Sequence, residues 1–223
     1  MSIKNNVQKF LEIIKGTDCK LIAVSKTKSV DDILEAYHAG IKSFGENKVQ
    51  EIQEKHPLLP LDIEWHMIGH LQRNKVKYIA PFIHTIHSVD SLKLLKELNK
   101  EAEKNSRIIN CLLQMHIAEE ETKFGFSEEE LLEVLNSDEL KQLNDIKISG
   151  LMGMATYTDN ESQIRKEFRY LKNLFEKIKE KVQLPNVALN ELSMGMSGDY
   201  RIALEEGSTM IRVGSSIFGS RSY

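Results

Sequence analysis

Apolar residues recur along this chain in two alternating rhythms, spacings of three and four over several turns and short runs of strand length. Ile3, Val7, Phe10, Leu11 and Ile14 share one helical face, and Gly16 stands where a C-terminal glycine closes a helix. The run over 21–24 is apolar throughout, as a buried parallel strand should be, and leads into Ser25 and Lys26. Ser29 then caps a helix bearing Val30, Ile33, Leu34 and Tyr37, which Gly40 ends. The pattern predicts a short strand at 43–45, a polar helix from 48 to about 55 stopped by Pro57 and Pro60, and a strand at 64–68 closed by Gly69. A helix at 74–80, a strand at 83–87 and a helix behind the cap Ser91, striped by Leu92, Leu95, Leu98 and Ala102, continue the alternation. Next come a strand at 109–115, an acidic loop with Glu119, Glu120 and Glu121, and a helix reaching Leu135 behind a Ser127/Glu130 capping box. The last third predicts a strand at 146–151, a long helix at 162–181, a strand at 188–192, a short helix at 200–205 and a strand at 210–213.

Eight strands alternating with helical segments, with no linker or composition break, predict an α/β fold: a single (β/α)8 barrel of TIM type spanning 1–223 as one domain, with an extra N-terminal helix. A doubly wound open sheet is the alternative, although it more often has fewer strands. The length of 223 residues suits one such barrel. Net charge is -3, from 30 Lys+Arg and 33 Asp+Glu spread along the chain, which argues against a nucleic-acid partner. There is no apolar signal core and no run of about 18 apolar residues, and Cys19 and Cys111 cannot build a disulfide framework. These features predict a cytoplasmic protein with reduced thiols and no membrane contact.

In a (β/α)8 barrel the chemistry sits at the C-terminal ends of the strands. There the sequence supplies Lys26, Asn47, Gly69-His70, Met115, residues 152–156, Ser193 and Gly214-Ser215. Gly214-Ser215-Ser216 joins a strand to a short helix, where a glycine lets an anion approach backbone N–H groups and hydroxyls. Closure sets the first strand beside the eighth, so Lys26 becomes a neighbour of that cup. A phosphorylated carbonyl compound lying between them would meet an amine able to form an imine. On spacing alone, the better reading of Lys26 is a charge snorkelling to solvent and of Arg212 a surface ion-pair partner. A barrel that binds a phosphosugar without an imine also stays open. His66, His70, His84 and His87 read as core or loop histidines rather than metal ligands.

Five blocks carry a resemblance: Ala-Val-Ser-Lys-Thr-Lys (23–28), Phe-Gly-Glu-Asn (44–47), Trp-His-Met-Ile-Gly-His-Leu-Gln (65–72), Leu-Ser-Met-Gly-Met-Ser (192–197) and Arg-Val-Gly-Ser-Ser-Ile-Phe-Gly (212–219). In that order they closely resemble the pyridoxal phosphate homeostasis protein family, the YggS/PROSC group, from about residue 5 to Arg221. The resemblance implies a fold type III barrel, related to the N-terminal domain of alanine racemase, holding pyridoxal 5'-phosphate (PLP) as an aldimine on Lys26. It also implies that Ser193, Gly214 and Ser215 contact the phosphate, that Asn47 lines the pocket, and that Arg212 faces the pyridine nitrogen. Ser215 stands where many members have threonine, His70 where many have proline, and Gly198 where an acidic residue is common.

An arginine at the pyridine nitrogen weakens the ring as an electron sink. A related racemase takes a second base from a β-domain, for which this sequence, ending at Tyr223, has no counterpart. The implied role is vitamin B6 homeostasis: a monomer that buffers PLP and passes it to apo-PLP enzymes, with no catalytic residue, no metal and no amino-acid turnover. The alternative is a PLP-dependent racemase or decarboxylase of weak activity. Lys28 and Lys123 are candidates for a relay or second site.

Overall fold

The structure is a computed structural model that describes residues 2–120 and 124–219. Its frame is eight parallel strands: β1 (Lys20–Val24), β2 (Ser43–Glu46), β3 (Glu64–Met67), β4 (Thr85–Val89), β5 (Ile109–Met115), β6 (Ile146–Gly153), β7 (Val187–Ser193) and β8 (Met210–Val213). They pair in sequence order and close with β8 against β1. Successive strand residues point to opposite faces, and the sequence treats the two faces differently. Leu21, Ala23, Phe44 and Trp65 face outward into the main apolar core beneath the helices, whereas Ile22, Leu112, Met152 and Met210 form a separate cluster inside the barrel. The interior also carries His66, His87, Ser193 and Arg212, as the site below describes.

The helices are α1 (Ile3–Ile14), α2 (Val30–His38), α3 (Val49–Lys55), α4 (Leu92–Lys104), α5 (Glu128–Asn136), α6 (Asp138–Lys141), α7 (Glu161–Lys181), α8 (Tyr200–Glu205) and α9 (Ser215–Phe218). Ser29 with Asp32, and Ser127 with Glu130, form reciprocal capping boxes. The helix after β8 has four residues, too few to cover the β8/β1 seam. The N-terminal helix takes that place. It packs on α2, β1 and α9, its Phe10 ring meets Tyr200 edge-on at 5.0 Å, and Asn6 Nδ2 donates to Ile217 O at 2.9 Å.

Three elements differ from the periodicity. The predicted 74–80 helix is a 3-10 segment, Arg73–Tyr78, whose apolar spacing is too sparse to hold a full α-helical face. β4 starts at Thr85 because the N–H of Ile83 still closes a helical turn onto Ile79 O at 2.8 Å. The extra helix α6 arises because Ser137 both ends α5 and caps the next turn, its Oγ accepting from Leu140 N at 3.2 Å. β6 and β7 slide in register between Ile148 and Gly150. There a Cβ on Gly150 would fall 1.7 Å from Glu191 O, so only glycine allows the strands to stay paired.

Candidate functional site

The pairings Ala23↔Val213 and Val24↔Gly45 fix what surrounds the end of β1. Carried forward two or three positions, they set half-buried Lys26 between Asn47 on the β2 side and Gly214-Ser215 on the β8 side. Gly214 is needed for closeness, since a Cβ there would lie 3.3 Å from Val24 O. Its N–H donates to Ser197 Oγ at 3.3 Å, and exposed Ser215 opens α9 beside it. The loop after β7 and the turn after β8 are thus tied together at the mouth.

The turn carrying Lys26 is braced from outside the barrel. Thr27 has a φ of 63°, a left-handed conformation that a β-branched residue adopts only when its surroundings impose it. Lys28 N–H donates to Ser25 O at 3.0 Å, and Thr27 N–H donates to Glu51 Oε2 at 2.6 Å. Lys55 Nζ donates to Ser25 O, Glu46 Oε1 and Glu51 Oε2 at 2.9, 2.8 and 2.9 Å, and Ser25 Oγ donates to Glu46 Oε1 at 2.7 Å. Burial raises the Glu46 carboxyl above its ordinary range, with Lys55 and Ser25 pulling the other way. Burial also pushes Glu51 up, but Lys55 and the Thr27 N–H outweigh it and hold that carboxyl below its ordinary value.

Arg212 lies deeper, 3% exposed. Its Nη1 donates to Ser193 Oγ at 2.5 Å and its Nη2 to Gly153 O at 3.0 Å, both neutral acceptors. Burial lowers its pKa to about 10, with Asp199 opposing, so the guanidinium is charged at neutral pH. Ser193 Oγ meets His87 Nδ1 at 2.9 Å, and His87 Nε2 meets His66 Nδ1 at 2.9 Å. A chain of buried polar groups therefore runs from β8 through β7 and β4 to β3. Burial, reinforced by His84 and Lys20, lowers His66 to about 3, and burial beside His66 and Arg212 holds His87 well below its ordinary value. Both rings are neutral in the folded protein but take up a proton near pH 6.5 when unfolded. The unfolded state thus binds more protons in this window, so stability falls with pH from about 6.5 toward about 3. Denaturant titrations across that range should show a steeper acid loss in wild type than in His87→Gln, and equal slopes would contradict this assignment.

The structure brings Lys26, Asn47, Gly214 and Ser215 to one mouth. Arg212 and Ser193 form a pair beneath it, with Ser193 fully buried. Glu46, Glu51 and Lys55 were not anticipated, although Glu46 lies inside the Phe-Gly-Glu-Asn block and a glutamate in an otherwise buried strand signals a buried partner; His87 is the core histidine expected. Lys28 Nζ donates to Phe218 O at 3.1 Å, tying the β1 turn to the end of α9. His70 pairs with Asp90 at 3.2 Å and stacks on Phe124 at 4.6 Å. Lys123 lies outside the described residues.

Comparison with known proteins gives this geometry a context. Residues 1–222 match the family described as alanine racemase, N-terminal domain. The pyridoxal phosphate homeostasis protein of Aquifex aeolicus is 41% identical over 211 residues, covering 94% of this chain and 90% of that one. The protein of that name from Haemophilus influenzae is 40% identical over 207 residues, covering 92% and 86%. PipY of Synechococcus elongatus, solved with PLP bound, superposes with a TM-score of 0.89 at 34% identity, covering 98% of this chain and 100% of that one. Among the described residues no helix is long and apolar enough to cross a membrane.

Proposed function

The chain belongs to the pyridoxal phosphate homeostasis protein family, and from that premise we propose that it binds PLP at the C-terminal mouth of its barrel, anchors it on Lys26, and stores and hands on the cofactor without turning over amino acids. The observation that carries this reading is the convergence, across the β1/β8 seam, of an amine, a glycine turn and a buried guanidinium. These groups suit PLP on their own chemistry. Gly214 admits a ligand's phosphate to the backbone where a Cβ would crowd Val24, and Arg212 is already aimed by two neutral acceptors.

When bound, PLP supplies an aldehyde that condenses reversibly with an amine. Lys26 supplies that amine from a turn fixed by Glu51 and Lys55, so little ordering remains to be done on binding. The Ser215 backbone and hydroxyl and the Ser197 hydroxyl would meet the phosphate at the turn that Gly214 keeps open, and Asn47 would line the opposite side. Arg212, held by Ser193 and Gly153, would face the ring nitrogen and, staying charged, would keep a proton off it, which would handicap carbanion chemistry. Ser193 acts on this reading mainly through Arg212. The recipients are apo-PLP enzymes, reached in the cytoplasm by a monomeric single-domain protein. A closed barrel leaves no strand edge to recruit a second copy.

The test is incubation with PLP, borohydride reduction and peptide mapping, alongside an amino-acid panel. The expected result is a phosphopyridoxyl label on Lys26, cofactor transfer to an apo-enzyme, and no turnover. Racemisation or decarboxylation that disappears in Lys26→Ala would overturn the non-enzymatic part. Protein that stays unlabelled would overturn PLP binding.

A further inference from the structure

At the opposite, N-terminal mouth of the barrel, Glu64 opens β3, His66 follows two residues on, and His84 immediately precedes β4. One ligating atom from each lies within 4.8 Å of the other two. We infer that Glu64, His66 and His84 bind a divalent metal of the Zn2+ class, a site separate from the cofactor mouth and independent of the PLP reading.

The first argument is an orphaned atom. His66 is 1% exposed, its Nδ1 is taken by His87, and its Nε2 is buried with no hydrogen-bond partner among the described residues. A buried ring nitrogen left unsatisfied is expensive, and a native protein meets it with a hydrogen-bond partner, an ordered water or an ion. The second argument is the way each candidate ligand is held from behind. His66 Nδ1 meets His87 at 2.9 Å, His84 Nδ1 meets Thr85 Oγ1 at 2.8 Å, and Glu64 Oε2 accepts from Ser43 Oγ at 2.8 Å. Metal-binding histidines and carboxylates are typically oriented in this manner by a partner on the atom that does not ligate. What remains is His66 Nε2, His84 Nε2 and Glu64 Oε1, and the last two are 3.8 Å apart.

Two neutral imidazoles and a carboxylate are a donor set that suits Zn2+. Tetrahedral Zn2+, with bonds of about 2.0–2.1 Å, needs its ligand atoms about 3.3 Å apart. The two outer side chains must therefore draw in by a fraction of an ångström to about 1.5 Å. Glu64 and His84 are both close to half exposed, so they are free to do so and leave a fourth position to water. The ammonium of Lys20 at the same mouth is paired with Glu191 at 2.5 Å. The protons of the interior chain are compatible with a bare Nε2. His66 Nδ1–H donates to His87 Nε2, and His87 Nδ1–H donates to Ser193 Oγ, whose second lone pair accepts from Arg212. A metal here would clip β3 to β4 at the end of a barrel that serves stability rather than chemistry.

The experiment is calorimetric titration of chelator-treated full-length protein with Zn2+, and Co2+ absorption as a geometric readout. It is run on wild type, His84→Ala and Glu64→Gln, with thermal melts to confirm folding. Both substitutions touch partly exposed residues outside the cofactor mouth. The expected result is one equivalent of Zn2+ in wild type, tetrahedral Co2+ bands, and at least tenfold weaker Zn2+ binding in each variant with PLP uptake unchanged. No Zn2+ binding in wild type, or undiminished affinity in either variant, overturns the site.

Discussion

Lys26→Ala protein incubated with PLP and desalted should come off the column colourless, keeping less than about one-tenth of the cofactor that wild type keeps, a loss of at least about 1.4 kcal/mol. The phosphate turn and Arg212 remain in this variant, so weak non-covalent binding survives and is seen as quenching at high PLP. Compared without PLP, the melting temperatures of the variant and wild type should barely differ, because the turn is held by hydrogen bonds from Ser25, Thr27 and Lys28 backbone and from Glu51 and Lys55. Lys28→Ala, which loses a tie to Phe218 O, should keep its colour. A stable yellow Lys26→Ala complex that borohydride still fixes would show that another amine is the anchor.

The second large effect is on stability. Lys55→Met should destabilise the protein by about 3–5 kcal/mol, the usual consequence of leaving one half of a buried ion pair behind. Glu46 is fully buried, and among the described residues one of its oxygens already has no hydrogen-bond partner. Removing Lys55 takes away its principal cation and raises its pKa further. The folded variant then favours the protonated carboxyl, so its deficit grows as pH rises through that higher value and is smallest in mild acid. Urea unfolding at pH 5 and pH 8 should show this divergence. Adding Glu46→Gln should restore much of what Lys55→Met loses, since an amide needs no counter-charge. A Lys55→Met protein within about 1 kcal/mol of wild type at pH 8 would mean that the cluster is solvated rather than dry.

These two lysines mark the boundary of what the sequence discloses. Lys26 stands at the end of a wholly apolar run, so strand order and barrel closure sufficed to give it neighbours in Asn47 and Gly214. Lys55 sits in a short polar helix, where nothing in the local spacing distinguishes a solvated residue from one turned inward beneath β1 and β2. Its role exists only because Glu46, from the neighbouring strand, faces outward into the same buried space. The histidines repeat the lesson. His66 and His87 belong to strands whose periodicity shows which side they face but not that both point into one interior. Their contact depends on the register across β3 and β4, where His66 stands opposite Thr85 and Met67 opposite Ile86. Helices with strong caps, such as those behind Ser29, Ser91 and Ser127, were legible because capping is written within a few residues. The 3-10 segment and the start of β4 were not, because tertiary packing decides where a short apolar run stops being helix.

The position of the cofactor mouth on the β1/β8 seam bears on how the protein is made. β1 can pair with β2 as soon as both are synthesised, but its other edge waits for β8, which lies far along the chain. The Lys28–Phe218 and Asn6–Ile217 bonds span 190 and 211 residues. Such closures carry the largest loop entropy in the molecule and belong late in folding. On the proposed reading, a ligand engaging both Lys26 and Ser215 would cross-link two segments far apart in sequence and stabilise the closed ring by mass action. Loss of cofactor releases that clasp, so the empty protein should open first along this seam, with α1 and α9 exchanging their amide hydrogens ahead of the strands on the far side of the barrel.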